Sequence, residues 1–275
     1  MTEHAGSAVL DPQNQPALTL VIPAFNEASR IESAVRQAVA WLQDQSFATE
    51  LIVVDDGSDD ATAALAECAV AGFSRGRVLR CPHRGKAAAV RAGMLAASGD
   101  QIAFSDADLA TPLNYLLDLR TAIAGGCDVA IGSREGVGAR RIGEPSYRHL
   151  MGRVFNRMVQ MLLIHGIPDT QCGFKLFRRY VALDLLARSR LYRDDAGTIA
   201  GPRVTAFDVE LLAIARRRGY HICAIPVVWT YGAGSKVRPA RDTWHNMRDV
   251  FSVWAHALRG HYRMPVDNNA NDAWD

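Results

Sequence analysis

The chain has 275 residues, 49% of them hydrophobic and 22% charged, with a net charge of +2, an ordinary globular composition that excludes disordered and fibrous classes. No window approaches the ~18 uninterrupted apolar residues of a membrane-spanning helix, and the polar opening MTEHAGSAVLDPQNQP lacks the basic–apolar pattern of a secretion signal. The near-neutral total hides an asymmetry: residues 1–133 carry 9 Lys+Arg against 16 Asp+Glu, whereas residues 134–263 carry 22 against 10. An acidic half joined to a basic half suggests a metal or sugar site beside a surface for anions, although solvated helix faces give the same balance.

In chain order, 18–22 (LTLVI) is a buried-strand run stopped by Pro23. Helical spacing of Ile31, Ala34, Val35, Ala38, Val39 and Leu42 predicts a helix over about 27–44. Strands at 51–54, 78–81, 101–105 and 128–131 then alternate with helices at 60–71, 86–97 and 113–124. This alternation with short loops predicts an α/β fold, a mainly parallel sheet covered on both faces, with ligands at the carboxyl ends of the strands. The Gly- and Arg-rich stretch 132–146 reads as a mobile loop. A helix over 147–165 carries Leu150, Val154, Met158, Met161 and Leu162 on its apolar side. A short strand at 174–177, a helix at 180–187, a loop at 190–204, a helix at 207–218 and one strand at 221–230 follow. The last helix, 241–259, sets Trp244, Met247, Val250, Phe251, Trp254 and Leu258 on one side. With no repeat and no linker, 17–260 is one domain, and 1–16 and 261–275 are disordered tails.

The unusual polar residues fall after strands. Asp106-Ala107-Asp108 follows QIAFS, and two carboxylates one residue apart can converge on Mg²⁺ or Mn²⁺, which prefer oxygen ligands. A solvated turn is the plain alternative. Asp55-Asp56-Gly57-Ser58 ends another strand; adjacent carboxylates there suit donors such as ribose hydroxyls, or equally a helix start capped by Ser58 or Asp59, and Gly57 permits a positive φ. Lys86 is a cation at a helix start, the unfavourable end of the dipole, so it wants an anion nearby. Arg80 and Ala87 rule out a phosphate-binding P-loop, and no GxGxxG fingerprint is present. Five scattered cysteines read as reduced, mostly buried thiols of a cytoplasmic protein, Cys172 among the buried ones.

Together, IPAFNE (22–27), VVDDGS (53–58), RGKAAAVRAG (84–93) and SDADL (105–109) resemble the nucleotide-sugar-binding half of family 2 glycosyltransferases. IGSRE (131–135), YRHLMGRVFN (147–156), DTQCGFKLF (169–177), FDVELL (207–212) and GSKVRP (234–239) extend the resemblance to the dolichyl-phosphate glucosyltransferase group. The resemblance implies a GT-A fold, 17–133 binding the donor and 134–260 on the acceptor side. It implies that Pro23, Ala24 and Glu27 line the nucleoside pocket, that Asp55 and Asp56 hold base and ribose, and that Lys86 lies near the diphosphate. Asp106 and Asp108 would bind the ribose–diphosphate and its Mg²⁺ or Mn²⁺. Arg134, Arg148 and Arg153 would meet the phosphates of donor and acceptor, with Gln171 also in contact with substrate and Lys236 in a segment closing over the donor. Asp106, Asp108, Arg134 and Arg148 are the expected catalytic set.

The expected reaction is inverting hexose transfer, glucose from UDP-glucose, to a polyprenyl phosphate. GDP-mannose as donor and a soluble acceptor are the alternatives. A lipid phosphate is largely a dianion at pH 7, so no general base is required. A sugar hydroxyl would need one, with Asp169, Asp208 and Glu210 as candidates, although Asp169 also reads as a turn cap and Glu210 as an arginine partner. A nucleotidyltransferase is disfavoured because PAFNEASR stands where a Gly-rich basic loop belongs, and a non-catalytic sensor because carboxylates and arginines occur together. No nucleic-acid partner is expected. Relatives in the group carry an N-terminal anchor; here the expectation is a cytoplasmic protein with peripheral contact at the inner membrane face, through the 241–259 helix, or that helix packing on the core.

Overall fold

The computed structural model describes residues 15–191, 205–232 and 239–262, the side chains of 239–244 excepted. Lys236, the expected tails beyond residues 15 and 262, and most of the 190–204 loop lie outside the described residues. In chain order the elements are β1 (Leu18–Ala24), α1 (Ile31–Gln43), β2 (Thr49–Asp55), α2 (Thr62–Val70), β3 (Gly76–Arg80), α3 (Lys86–Ala96), β4 (Gln101–Ser105), α4 (Tyr115–Ala124) and β5 (Val129–Ser133). There follow β6 (Arg140–Ile142), α5 (Ser146–Leu162), β7 (Phe174–Arg178), α6 (Arg179–Arg188), α7 (Phe207–Arg217), β8 (Ile222–Pro226), β9 (Val228–Thr230) and α8 (Pro239–Leu258).

Seven strands form one sheet in the order β3-β2-β1-β4-β7-β5-β8, parallel throughout except for β7, which runs antiparallel between β4 and β5. Apolar residues alternate across the sheet because both faces are covered. Val21, Ile52, Val54, Phe104 and Phe177 pack on the side of α3, α6, α7 and α8. Leu20, Ile22, Leu51, Val53 and Leu176 pack on the side of α1, α2 and α4. The reversal from β1 to β2 on one side and β4 on the other is the switch point where parallel sheets open a crevice at their carboxyl ends.

Three expectations are corrected. The 132–146 stretch contains β6, which pairs in parallel with β9; its own sequence, Arg-Arg-Ile, carries no strand pattern and depends on that partner. The single strand expected at 221–230 is two, parted at Val227, whose N–H donates to Ser133 O while its carbonyl accepts from Arg140 N. Cys127 and Cys223 are not free thiols but form a disulfide, their Cα atoms 6.1 Å apart. The pairing arises because β5 and β8 are parallel neighbours, with Ala130 opposite Cys223, and a separation of 96 residues hides it from the sequence. Cys68, Cys81 and Cys172 are free, and Cys172 is buried as expected.

Candidate active site at the strand ends

The loops after β1 and β2 are stitched together by side chains that receive backbone donors. Asn26 stands at φ 53; its N–H donates to Ser58 Oγ at 2.9 Å and its Oδ1 accepts from Asp59 N at 2.9 Å. Glu27 N donates to Thr62 Oγ1 and Ala28 N to Asp60, so α1 begins only at Ile31, with Glu27 before it and paired to Arg30 at 2.9 Å. Neither Ser58 nor Asp59 caps α2; Asp60 accepts from the N–H of Thr62 instead. Pro23 and Ala24 close β1, buried beside Val54 and Asp55.

The adjacent acids at the end of β2 have different surroundings. Asp56 accepts from His83 Nδ1–H at 2.8 Å, Arg84 N at 2.9 Å and Gly85 N at 2.8 Å, so its carboxylate is spent on the 83–85 turn. Burial raises its pKa against the pull of these donors. His83 also stacks on Phe25, ring centroids 3.7 Å apart, and the turn comes so close that only a residue without Cβ fits at Gly57, held at φ 68. Asp55 receives only Ser58 N on Oδ2, at 3.3 Å; its Oδ1 is buried with no hydrogen-bond partner among the described residues. Of the pair, Asp55 is the one with an acceptor left for a ligand.

Asp106 and Asp108 leave β4 in a turn that holds Leu109 at φ 46, a conformation L side chains rarely adopt. Leu109 N donates to Asp106 O and Ala110 N to Asp108 Oδ1. Lys86, the first residue of α3, places its ammonium on Asp106, the anion the sequence said it needed. Loss of water and then the charge of Asp106 push the Asp108 carboxyl above the usual carboxylate range. Gly173 presses its bare Cα against the Asp106 carboxylate, where a Cβ would collide with all three of its terminal atoms. Two hard oxygen ligands one residue apart, one already carrying an ammonium, suit Mg²⁺ or Mn²⁺.

From the other half, Arg134 enters just after β5. Its Nε and Nη2 donate to Asp169 at 2.7 and 2.9 Å, its backbone N–H donates to the same carboxylate, and its guanidinium lies 5.3 Å from the Trp229 ring. Asp169 is fully buried. Burial would raise its pKa, but Arg134 overrides this and holds it far below the carboxylate range; the same pairing raises Arg134. Asp169 is therefore an anchor for Arg134, besides capping the turn through Gln171 N, and no base for an acceptor. Glu210 is fully buried as well, and accepts from Arg190 N, Leu191 N and Tyr262 Oη rather than from an arginine side chain. Burial pushes it up to about 7.

Arg148 donates from Nη1 to Tyr231 Oη at 2.6 Å. The 228–232 segment thus joins the halves: Trp229 lies against Arg134, Thr230 N donates to Ala110 O, Tyr231 takes Arg148, and Gly232 sits beside Asp108 and Arg30. Sequence reasoning missed Arg30, Trp229 and Tyr231. Only Gly173 among such partners had a visible signal, the glycine of TQCGF. Arg153 is exposed on α5 and Gln171 is half-buried.

The apolar side of α5 is divided, with Met158 and Leu162 packed part-buried against the core and its other members exposed. Leu150 is 64% exposed, Val154 63% and Met161 64%, whereas Phe155, Asn156 and Val159 are buried. On α8, Val250, Val253 and Ala257 join the core while Phe251, Trp254 and Leu258 are exposed, so that helix packs on the core along one side and leaves apolar side chains exposed on another. Among the described residues no helix is long and apolar enough to cross a membrane.

A mainly parallel sheet covered by helices on both faces, with carboxylates gathered at its strand ends, is the architecture of a GT-A glycosyltransferase. Glycosyl transferase family 2 matches residues 19–186, more than half of the chain, and the chain belongs to that family. It is 35% identical over 262 residues to the dolichyl-phosphate beta-glucosyltransferase of Drosophila melanogaster, covering 90% of this chain and 77% of that one. The human protein of the same name is 33% identical, with 92% and 80% covered. Among solved structures, glucosyl-3-phosphoglycerate synthase from Mycobacterium tuberculosis with Mn²⁺, UDP and glucosyl-3-phosphoglycerate superposes at a TM-score of 0.59 and 21% identity, over 92% of this chain and 82% of that one. A mannosyltransferase from Pyrobaculum calidifontis with GDP-Man and Mn²⁺ gives 0.55 at 18%, over 90% and 66%. These establish the GT-A fold.

Proposed function

We propose that this glycosyltransferase moves glucose from UDP-glucose to the phosphate of a polyprenyl or dolichyl lipid, with inversion at the anomeric carbon. What carries this reading is the similarity to dolichyl-phosphate glucosyltransferases across nine-tenths of the chain, spanning the acidic and the basic half alike.

In this reading Pro23, Ala24 and Glu27 border the nucleoside, and the unpartnered Asp55 Oδ1 accepts from base or ribose while Asp56 shapes the turn that frames it. Asp106 and Asp108 would hold Mg²⁺ or Mn²⁺, which when bound would supply charge neutralisation to the diphosphate leaving group. Lys86 and Arg134 face the donor phosphates, the latter kept rigid by Asp169. Arg148 and Arg153 draw the acceptor phosphate in, Gln171 contributes a further substrate contact, and Lys236 belongs to the segment expected to close over the donor. A phosphate oxygen of the dianionic acceptor attacks the anomeric carbon as the bond to the diphosphate oxygen breaks, and no proton need be removed. Alignment of two anions by fixed arginines supplies what a base would otherwise do.

The exposed apolar side chains of α5 and α8, interspersed with exposed Arg153, Arg157, Arg248 and Arg259, suit an anionic lipid surface that would present the acceptor. Flotation with anionic liposomes tests this, and protein left wholly at the bottom contradicts it. The donor assignment is tested by nucleotide release from UDP- and GDP-sugars, with and without a short polyprenyl phosphate. UDP release from UDP-glucose that rises with the lipid is expected. Release indifferent to lipid moves the acceptor to a soluble molecule, and preference for GDP-mannose replaces the donor.

A further inference from the structure

Away from the strand-end cleft, three side chains with metal-binding chemistry meet at the other end of the sheet. His221 directly precedes β8 and Cys223 lies within it, two residues on, so both project from one face of the strand. Cys127 reaches the same place from the turn before β5, the parallel neighbour of β8, where Val129 lies opposite Ile222. The two sulfurs and a His221 ring nitrogen lie within 4.8 Å of one another. The backbone beneath them is fixed. Cys127 N donates to Ala122 O at 3.1 Å, and its carbonyl accepts from Arg178 Nε at 3.1 Å. His221 N donates to Asp128 Oδ2 at 2.9 Å, and its carbonyl accepts from the N–H groups of Asp128 and Val129. Cys127 is buried, Cys223 half-buried and His221 exposed, so the cluster meets water at the imidazole. β8 is an edge strand of the sheet, and whatever joins these residues fastens that edge to β5.

The Cys127–Cys223 bond uses both sulfurs and leaves the imidazole out. A reducing compartment opens such bonds, and two thiols beside a histidine then offer the sulfur and nitrogen ligands that Zn²⁺ takes, unlike the oxygen set that suits Mg²⁺. Tetrahedral zinc with Zn–S bonds of about 2.3 Å needs its sulfurs roughly 3.8 Å apart. With the Cα atoms 6.1 Å apart, turning the side chains provides that separation without moving the strands. The Asp128 carboxylate is already taken by His221 N, by Tyr180 Oη at 3.0 Å and by Arg178 at 3.7 Å, so the fourth position belongs to water.

We propose that Cys127, Cys223 and His221 form a Zn²⁺ site when the crosslink is reduced, so that bond and ion are alternative fasteners of the β5–β8 edge. Opening the bond takes two electrons and two protons from a dithiol, itself oxidised to a disulfide. Zn²⁺ then releases both thiol protons to solvent and binds two thiolates, one imidazole nitrogen and water. The site lies at the far end of β5 from Arg134 and takes no part in the transfer.

The test is Zn²⁺ binding to the full chain, reduced with a phosphine that brings no competing thiol, in excess Mg²⁺ and against a chromogenic chelator. The reduced protein is expected to hold one Zn²⁺ and the disulfide form none; equal binding by the two forms, or none by either, overturns the proposal. His221→Ala changes an exposed side chain and keeps the backbone bonds. It should weaken Zn²⁺ at least about tenfold, the least that loss of a supporting group costs. Cys223→Ser should do the same and, with Co²⁺ as the probe, should diminish the sulfur-to-metal charge-transfer absorption of the reduced protein. Unchanged affinity in either variant overturns the proposal. So does binding lost instead through Cys81→Ser or Asp108→Ala, which would put the ion on another thiol or on the strand-end carboxylates. Zn²⁺ should also raise the melting temperature of the reduced protein and leave that of reduced His221→Ala unmoved; an equal rise in both contradicts the site. That pair decides the matter even if Cys223→Ser does not fold.

Discussion

The donor side and the acceptor side of this molecule are built on different terms. Around the ends of β1, β2 and β4, side chains receive backbone N–H groups at nearly every turn: Ser58, Asp59 and Thr62 tie into the 25–28 loop, and Asp56 gathers the 83–85 turn. The turns there are preorganised, and among the described residues the buried Asp55 Oδ1 has no hydrogen-bond partner, nor does Asp106 Oδ1 apart from its ion pair with Lys86. The acceptor side rests on helices whose outer faces remain uncovered by the described chain, Leu150, Val154 and Met161 on α5 and Trp254 and Leu258 on α8. A small, water-soluble nucleotide sugar needs a rigid polar cradle. A lipid phosphate needs fixed charge at its head and apolar surface beside it. In the proposed function, the contrast between the halves is a contrast between two substrates.

The predictions probe that contrast, beginning with the largest effect. Asp108→Ala should lower kcat/KM by about 10³-fold or more, the scale of removing a group that meets developing charge. Its melting temperature should stay near wild type, because the side chain lies at the cleft surface; near-normal turnover would remove the metal assignment. Asp169→Ala should instead destabilise by about 3–5 kcal/mol, since it strands the buried Arg134 charge, and denaturant unfolding reads this directly. Reducing the Cys127–Cys223 bond, or Cys127→Ser, should cost about 2–4 kcal/mol in the same assay with little change in donor use, the crosslink lying at the start of β5, at the opposite end of that strand from Arg134. Arg148→Ala should raise the acceptor KM roughly 10–100-fold, the loss of one charged hydrogen bond. Nucleotide binding should survive in that variant; equal loss of both would make Arg148 a support for Tyr231 instead.

A further effect is a pH dependence. Glu210 has its pKa raised from 4.5 to about 7 by burial, so between those values the folded chain holds a proton that the unfolded chain has released. Stability should therefore fall as pH rises through that window and level off above it. Glu210→Gln should flatten the curve, and an unchanged slope in that variant would assign the dependence to another group.

Much of the donor side was legible because strand periodicity and strand-end polarity are local signals. The residues of α1 expected to share a face are the ones buried, and the Asp-Ala-Asp turn falls where β4 ends. Which of two adjacent acids faces a ligand is a long-range matter: Asp56 was claimed by a turn 27 residues away. Asp169 was read as a turn cap because nothing local shows that Arg134, 35 residues earlier, would consume its carboxylate. The α5 stripe was legible as apolar, but not that Leu150, Val154 and Met161 would stay exposed while Met158 and Leu162 pack on the core, since periodicity identifies a face without saying what covers it. β6 escaped because it exists only by pairing with β9, which the expected 221–230 strand covered without its break from β8.

The most direct test of the account is to isolate the product made from UDP-glucose labelled in the sugar and a short polyprenyl phosphate. The account predicts label in the organic-extractable fraction as a glucosyl phosphate ester, with the anomeric centre inverted relative to the donor by proton NMR. Label that stays wholly in water, or an ester with retained configuration, would contradict it.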